Sequence, residues 1–348
     1  MAITLTDPTD IPAYRPSALH TWCVKALYDS RDEIFVRLTL KACAVMVPIL
    51  ALMLFSFHWL LVPVYLAAWT WLAPSVILML HNTMHRPFIR RPRFLSHAHP
   101  YLFSATFGIP TGYMEHHVGM HHVENNLPPD LSSTMKFQRD NFFHFLAYFG
   151  RFFFLSPVEV PLYLSKKKRG NLARRAIIGE LVHYALVVAV CFIDLRGGLV
   201  GFALPLVVVR FLMMMGNWGQ HAFIDQNDPG NSLLNSITCI NAGYNHKAFN
   251  DGYHIGHHVK SNRHWTQMPA DFEANIDTYA RAGSIVFHGL DFFFVSLLLF
   301  THQYKFLARR FVRLDGVERS DDEVIAFLKT RLRPVGVRST NAAPLAAA

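Results

Sequence analysis

Histidines gather in the run Asn250–His258, NDGYHIGHH, where His254, His257 and His258 fall three and four residues apart. On a helix that spacing puts imidazoles on one face, aimed at one point. Three further runs have the same character: His81 and His85 in HNTMH, His117, His121 and His122 in HHVGMHH, and Asn217 with His221 in NWGQH. His116 competes with His117 for a place in the second run, and His117 is preferred because His121 then falls four residues on. The neutral imidazole is the commonest metal ligand in proteins. Nine histidines in these runs exceed the three or four that one tetrahedral zinc takes. Two metals with nitrogen-rich shells fit the count better. Iron, zinc, copper and nickel all suit imidazole, so spacing alone leaves the metal open. The remaining histidines, among them His97, His99, His183, His246 and His264, are read as solvated or hydrogen-bonded.

The elements that carry these runs are apolar. Of 348 residues, 52% are hydrophobic and 16% charged, with 29 phenylalanines, a balance unlike that of a soluble chain. No Asp, Glu, Lys or Arg occurs between Lys41 and Arg86, a stretch of 44 residues. A membrane-crossing helix takes roughly 20, so this is a hairpin of spans at about 42–57 and 60–80, turning near His58. A second hairpin is expected at about 177–193 and 198–216, with Asp194, Arg196 and two glycines in its turn. Phe142 to Leu164 is apolar but interrupted by Arg151 and two prolines, which suits a helix lying in or dipping into the membrane interface. Ser17 to Lys41 can hold an amphipathic surface helix, and Ser284 to Phe300 is a further aromatic segment.

The expected fold is therefore an all-α membrane protein, four transmembrane helices in two hairpins with a cytoplasmic, histidine-rich helical cap. It divides into a cytoplasmic N-terminal segment (1–41), a membrane domain (42–313) and a C-terminal tail (314–348) that is partly disordered from about Pro334. Lys and Arg cluster before, between and after the hairpins, which places those regions and both termini in the cytoplasm. Every histidine run then lies on one side. The formal charge of +9 belongs to this flanking pattern and not to a nucleic-acid surface. The N-terminus lacks the basic and apolar regions of a cleaved signal. Cys23, Cys43, Cys191 and Cys239 show no CxxC spacing and are read as packing residues.

With these runs in place, the chain resembles the membrane fatty acid desaturase and hydroxylase superfamily of di-iron enzymes. HNTMH is similar to its HxxxH box, HVGMHH from His117 to HxxxHH, HIGHH from His254 to HxxHH, and NWGQH to the NxxxH of acyl-CoA desaturases. NDGYHIGHH resembles the NxGYHxxHH of sphingolipid-type desaturases, and EHHVGMHHVENNLPPDLSST resembles a segment of membrane alkane hydroxylases. The resemblance implies that His81, His85, His117, His121, His122, His221, His254, His257 and His258 ligate two irons, with Asn217 acting directly or through water. It implies O2 as co-substrate and a long-chain acyl substrate presented as an acyl lipid, acyl-CoA, acyl carrier protein or free fatty acid. No HPGG-type haem segment is visible, so the electrons come from a separate electron-transfer protein.

Desaturation is the first reading of the reaction, with hydroxylation, alkane oxidation or oxidative decarboxylation to a terminal alkene as alternatives. A membrane zinc lipid hydrolase is the rival from another class. Glu115, Glu124, Asn125, Asn126, Asp225, Asn250 and Asp251 are candidates to support the ligands, Asp225 by orienting His221 if its helix continues. Arg210 lies within a span, where a charge marks a functional hypothesis: it can pair with Glu180, bind an acyl carboxylate, or snorkel to the membrane surface. Lys166 to Arg169 can serve as membrane anchors or meet phosphates.

Overall fold

A computed structural model of the chain describes residues 3–336. Five of its helices are long and apolar enough to cross a membrane, one more than expected. After a short helix, α1 (Ala18–Ala26), come α2 (Glu33–Phe55) and α3 (Leu61–His85), which pack as a hairpin. The first span thus begins some residues before Lys41, because Glu33 and Arg37 pair at 2.6 Å and carry their charges on its first turns. The surface helix expected over 17–41 is correspondingly broken after Ala26. Helix α4 (Arg93–Phe107) and a helix over residues 113–124, α5, follow.

The added candidate is α6 (Phe142–Lys166), an unbroken 25-residue helix despite Pro157 and Pro161. Arg151, whose charge argued against a span, is paired with Glu159 at 2.7 Å. Both ends of α6 nevertheless meet histidine-bearing segments. Before its start, Arg139 O accepts from Trp218 Nε1 at 3.0 Å; beyond its end, Arg169 donates to Gly119 O at 2.8 Å. Between these ends it passes deep beside the core, with the Phe153 ring 5.8 Å from the Arg210 guanidinium.

The second hairpin joins α7 (Gly170–Ile193) to α8 (Leu195–Gln220). Its turn is a single residue, Asp194, whose carboxylate caps Gly197 N at 2.7 Å. The two glycines expected in the turn are inside α8 instead. A Cβ on Gly197 would lie 2.1 Å from Met53 O, and one on Gly198 would lie 2.7 Å from Cys191 Cα. The residues that looked like turn formers are where three helices touch backbone to backbone.

The fold is not wholly helical. β1 (Ile237–Ile240) and β2 (Ile285–His288) form a two-stranded parallel sheet, Ile237 opposite Ile285, buried on nearly every residue. A six-residue helix, α9 (His254–Val259), lies between them in sequence, and α10 (Phe292–Phe300) packs on the end of α8. The first part of the tail, ahead of Pro334, holds a further helix. α11 (Asp321–Arg331) starts with a Ser320–Glu323 capping box and buries Val324 and Leu328; residues 337–348 lie outside those described.

Changing Gly197 to Ala is expected to lower stability by about 1–3 kcal/mol, because Met53 O is backbone and has to move with its helix. Thermal unfolding of the detergent-solubilised protein measures this, and an unchanged midpoint would show that the helices do not meet this closely in solution.

Candidate metal centre

Four elements end or begin at one layer and deliver the histidines there. α3 supplies His81 and His85 from its last turn, α5 supplies His117, His121 and His122, α8 ends on His221, and α9 supplies His254, His257 and His258. They assemble into two groups, His81, His85, His117 and His257, and His121, His221, His254 and His258. Within each group one nitrogen per ring lies within 4.8 Å of the others. His122 stands between the groups, its Nε2 at 3.0 Å from His257 Nε2 and 3.2 Å from His117 Nε2, its ring stacked on His258 at 4.7 Å.

The groups do not follow the sequence runs. His254 and His258, four apart, share one group, while His257 turns to the other. His117 and His121 are also four apart, yet they separate. The reason is a π-helical turn over His117–His121, whose extra residue per turn rotates successive rings differently from an α-helix; such turns recur at functional sites. His117 joins the first group, whereas His116 faces Ser132 Oγ at 3.1 Å and Asp130 at 3.8 Å.

Proton bookkeeping on the rings shows what the groups suit. His221 Nδ1 lies 2.7 Å from Asn235 O, and a carbonyl only accepts, so Nδ1 carries the proton and Nε2 is a lone pair. His121 Nδ1 lies 2.7 Å from Asp130 Oδ2, with the same consequence when the carboxylate is ionised. His121 Nε2 and His85 Nε2 are buried without a hydrogen-bond partner. Elsewhere Nε2 faces Nε2: 2.9 Å between His81 and His257, 3.1 Å between His258 and His254, and 3.3 Å between His254 and His221. Converging lone pairs in a buried place fit metal cations.

Burial, reinforced by the neighbouring rings, holds His117, His122, His254, His257 and His258 well below the ordinary imidazole range, and His221 is brought to about 3. Neutral imidazole is the ligand form. Burial alone would raise the Asp130 carboxyl, but His121 and His116 overcome it and hold it below the usual carboxylate range. Burial pushes Asp251 up to about 7, against hydrogen bonds from Tyr244 and Gln220. Its Oδ1 is 4.0 Å from His81 Nδ1.

Of the side chains expected from sequence to support the ligands, that of Asp251 lies beside a grouped imidazole, His81. α8 stops at Gln220, so Asp225 does not reach the His221 ring and pairs with Arg331 at 2.8 Å. Glu115 pairs with Arg175 at 3.0 Å and Glu124 with Lys167 at 2.8 Å. Asn125 and Asn126 hold the turn after α5 through Gly230 O at 2.8 Å and Thr134 N at 2.9 Å. Asn250 donates to Pro8 O at 2.7 Å and Trp265 O at 2.9 Å. The Asn217 amide donates to Tyr148 Oη at 2.7 Å and Ser132 O at 3.0 Å.

Three supports were not singled out in the sequence. Asp130 is an ordinary-looking loop acid, and Asn235 acts through its backbone carbonyl, which no side-chain pattern reveals. The third is Asp7, which accepts from Tyr253 Oη at 2.6 Å, Asn241 N at 2.7 Å and Asn245 Nδ2 at 3.0 Å. Tyr253 is the N-cap of α9, so the beginning of the chain is tied to the last histidine run.

A cavity of about 350 Å³ leads from His81 and His117 into the bundle between α3, α6, α7 and α8. Its wall is largely apolar, with Trp69, Ile77, Phe152, Pro157, Val160 and Met213 along it.

Apolar helices of membrane-crossing length that converge on two four-histidine groups define a helical membrane protein with two clusters of a composition that suits metal ions. The fatty acid desaturase family model matches residues 56–290, a segment that contains every histidine run. The chain belongs to the fatty acid desaturase family, whose members are oxidoreductases that use metal. No curated protein and no solved structure matches it.

Asp130→Ala is expected to weaken metal affinity about 10- to 100-fold, while Asp225→Ala leaves it unchanged. Metal content per chain after graded chelation distinguishes them, and equal loss in both variants would remove Asp130 from its role at His121.

Proposed function

We propose that this chain is a membrane fatty acid desaturase that introduces a double bond into a long-chain acyl substrate, using two irons, O2 and electrons from a separate protein. The observation that carries the reading is the meeting of the first histidine group, through His81 and His117, with the end of an apolar, acyl-sized cavity. Bound iron would supply the redox chemistry needed to take hydrogen from an unactivated methylene. The first group, His81, His85, His117 and His257, and the second, His121, His221, His254 and His258, would hold one metal each, with His122 between them. Asp130 and Asn235 O keep protons on the far nitrogens of His121 and His221, so the near nitrogens remain ligands. Trp69, Ile77 and Met213 exclude water and position the chain; Tyr113 Oη, 3.4 Å from His81 Nδ1, closes the group on the cavity side.

Zinc hydrolysis is the opposing outcome. The purified protein is expected to contain two irons per chain. Cells producing it are expected to gain an unsaturated product, its double bond located by mass spectrometry, and His121→Ala or His257→Ala should reduce that product to background. One zinc per chain and no oxidised lipid would defeat the proposal.

In the same reading the histidine layer faces the cytoplasm, following the distribution of Lys and Arg. Both ends of α6 meet histidine-bearing segments, and in this reading α6 does not cross and the other four long helices do. A tag at Lys167 is expected to be protected in intact cells and one beside His58 accessible from outside. An accessible Lys167 tag overturns this orientation.

A further inference from the structure

The cavity wall carries one charged pair that the metal centre does not use. Arg210 precedes Asn217 on α8 by seven residues, about 10 Å of helix rise. Its Nη2 lies 2.6 Å from Glu180 Oε2 on α7, and both residues line the cavity that ends at His81 and His117. Arg210 is 3% exposed, so its guanidinium does not snorkel to a surface. Its Nε is buried with no hydrogen-bond partner. A buried donor left unpaired is unfavourable, and one on a residue of a cavity wall can be satisfied by an acceptor that a ligand brings.

We propose that Arg210 and Glu180 hold the polar head of the substrate, and that this head is the carboxylic acid of a free fatty acid. The assignment rests on the acyl reading of the cavity given above. Charge decides between head groups. Arginine and glutamate already cancel, so a bound carboxylate would leave a net negative charge in a low-dielectric place. The neutral acid leaves none: its carbonyl oxygen accepts from Arg210 Nε–H, and its O–H donates to the Glu180 carboxylate. An ester or thioester has the acceptor but no donor, and a nucleotide-sized head finds no further Lys or Arg on the cavity wall to meet its phosphates. The head therefore sits inside the bundle, and the chain runs from it toward the histidines.

The probes are dodecanoic acid, 1-dodecanol and methyl dodecanoate, with binding to the purified, metal-loaded full-length protein followed by equilibrium dialysis. The acid is expected to bind at least about tenfold more tightly than the methyl ester. The alcohol, which also offers an acceptor and a donor, should fall within about tenfold of the acid. Arg210→Met combined with Glu180→Gln, which strands no charge, should bring acid and alcohol down to the ester and leave the ester unchanged. Arg210→Lys, which keeps the charge but has no Nε–H, should do the same for the acid.

Acid and ester binding alike to the unchanged protein would overturn the head-group assignment, and this comparison needs no variant to fold. An alcohol as weak as the ester, or a double variant that weakens all three probes equally, would overturn it as well. Ile77→Trp, which fills the apolar wall, should weaken all three. If none of the three binds the unchanged protein, the acyl reading of the cavity fails; if all bind alike and Ile77→Trp weakens them, only the assignment to Arg210 and Glu180 fails.

Discussion

Imidazole lone pairs pointed at one another in a buried place are the constraint on which the rest of the structure depends. Two facing Nε2 atoms repel if both are unprotonated, and protonating the rings is opposed by burial. His221 shows the commitment most clearly, since Asn235 O fixes its proton on Nδ1 at 2.7 Å. Cations between the rings relieve the repulsion. The arrangement without them is held by the surrounding framework: α3 and α8 end at the same layer, β1 and β2 support α9, and Asp7 fastens the N-cap of α9 from the other end of the chain.

That framework is built by close contact more than by polar bonds within the bundle. Gly197 and Gly198 let α8 meet α2 and α7 at backbone distance, which fixes the height at which α8 ends and hence where His221 stands. Below the histidine layer the space that packing leaves is largely apolar, and the Arg210–Glu180 pair stands in its wall. At the layer itself Arg139, fully buried, gives its guanidinium to backbone carbonyls of Ala222, Thr134, Arg331 and Arg333. Burial brings it down to about 9. It clasps the segment after His221 to the C-terminal helix without a carboxylate partner.

How much of this was legible follows from which forces act locally. Helical spacing singled out the histidines because i, i+3 and i+4 are neighbours on any α-helix. It did not show that His117 and His121 part company, because the π-helical turn between them leaves no mark in the residue types. The apolar runs gave the two hairpins, whereas Pro157 and Arg151 disguised the continuity of α6, since a paired charge and a tolerated proline look the same in sequence as unpaired ones. Asp225 was a reasonable orienter only if α8 continued past His221, and a backbone carbonyl took its place. Pairing between residues far apart in sequence, Asp130 with His121 aside, was the part hardest to see: Asp7 with Tyr253 has no local pattern. The two short strands escaped because a four-residue apolar stretch does not distinguish strand from buried helix.

The distances along the chain between partners carry a consequence for biogenesis. His81 meets His257 across 176 residues, and Asp7 meets Tyr253 across 246. During synthesis the first hairpin enters the bilayer with its two histidines long before the last run leaves the ribosome. Neither four-histidine group can close until that run arrives, since each takes at least one of its histidines from it. A nascent chain arrested before residue 254 would hold its first histidines at the membrane surface, available to other cations. With α9 in place Tyr253 donates to Asp7 and both four-histidine groups are complete.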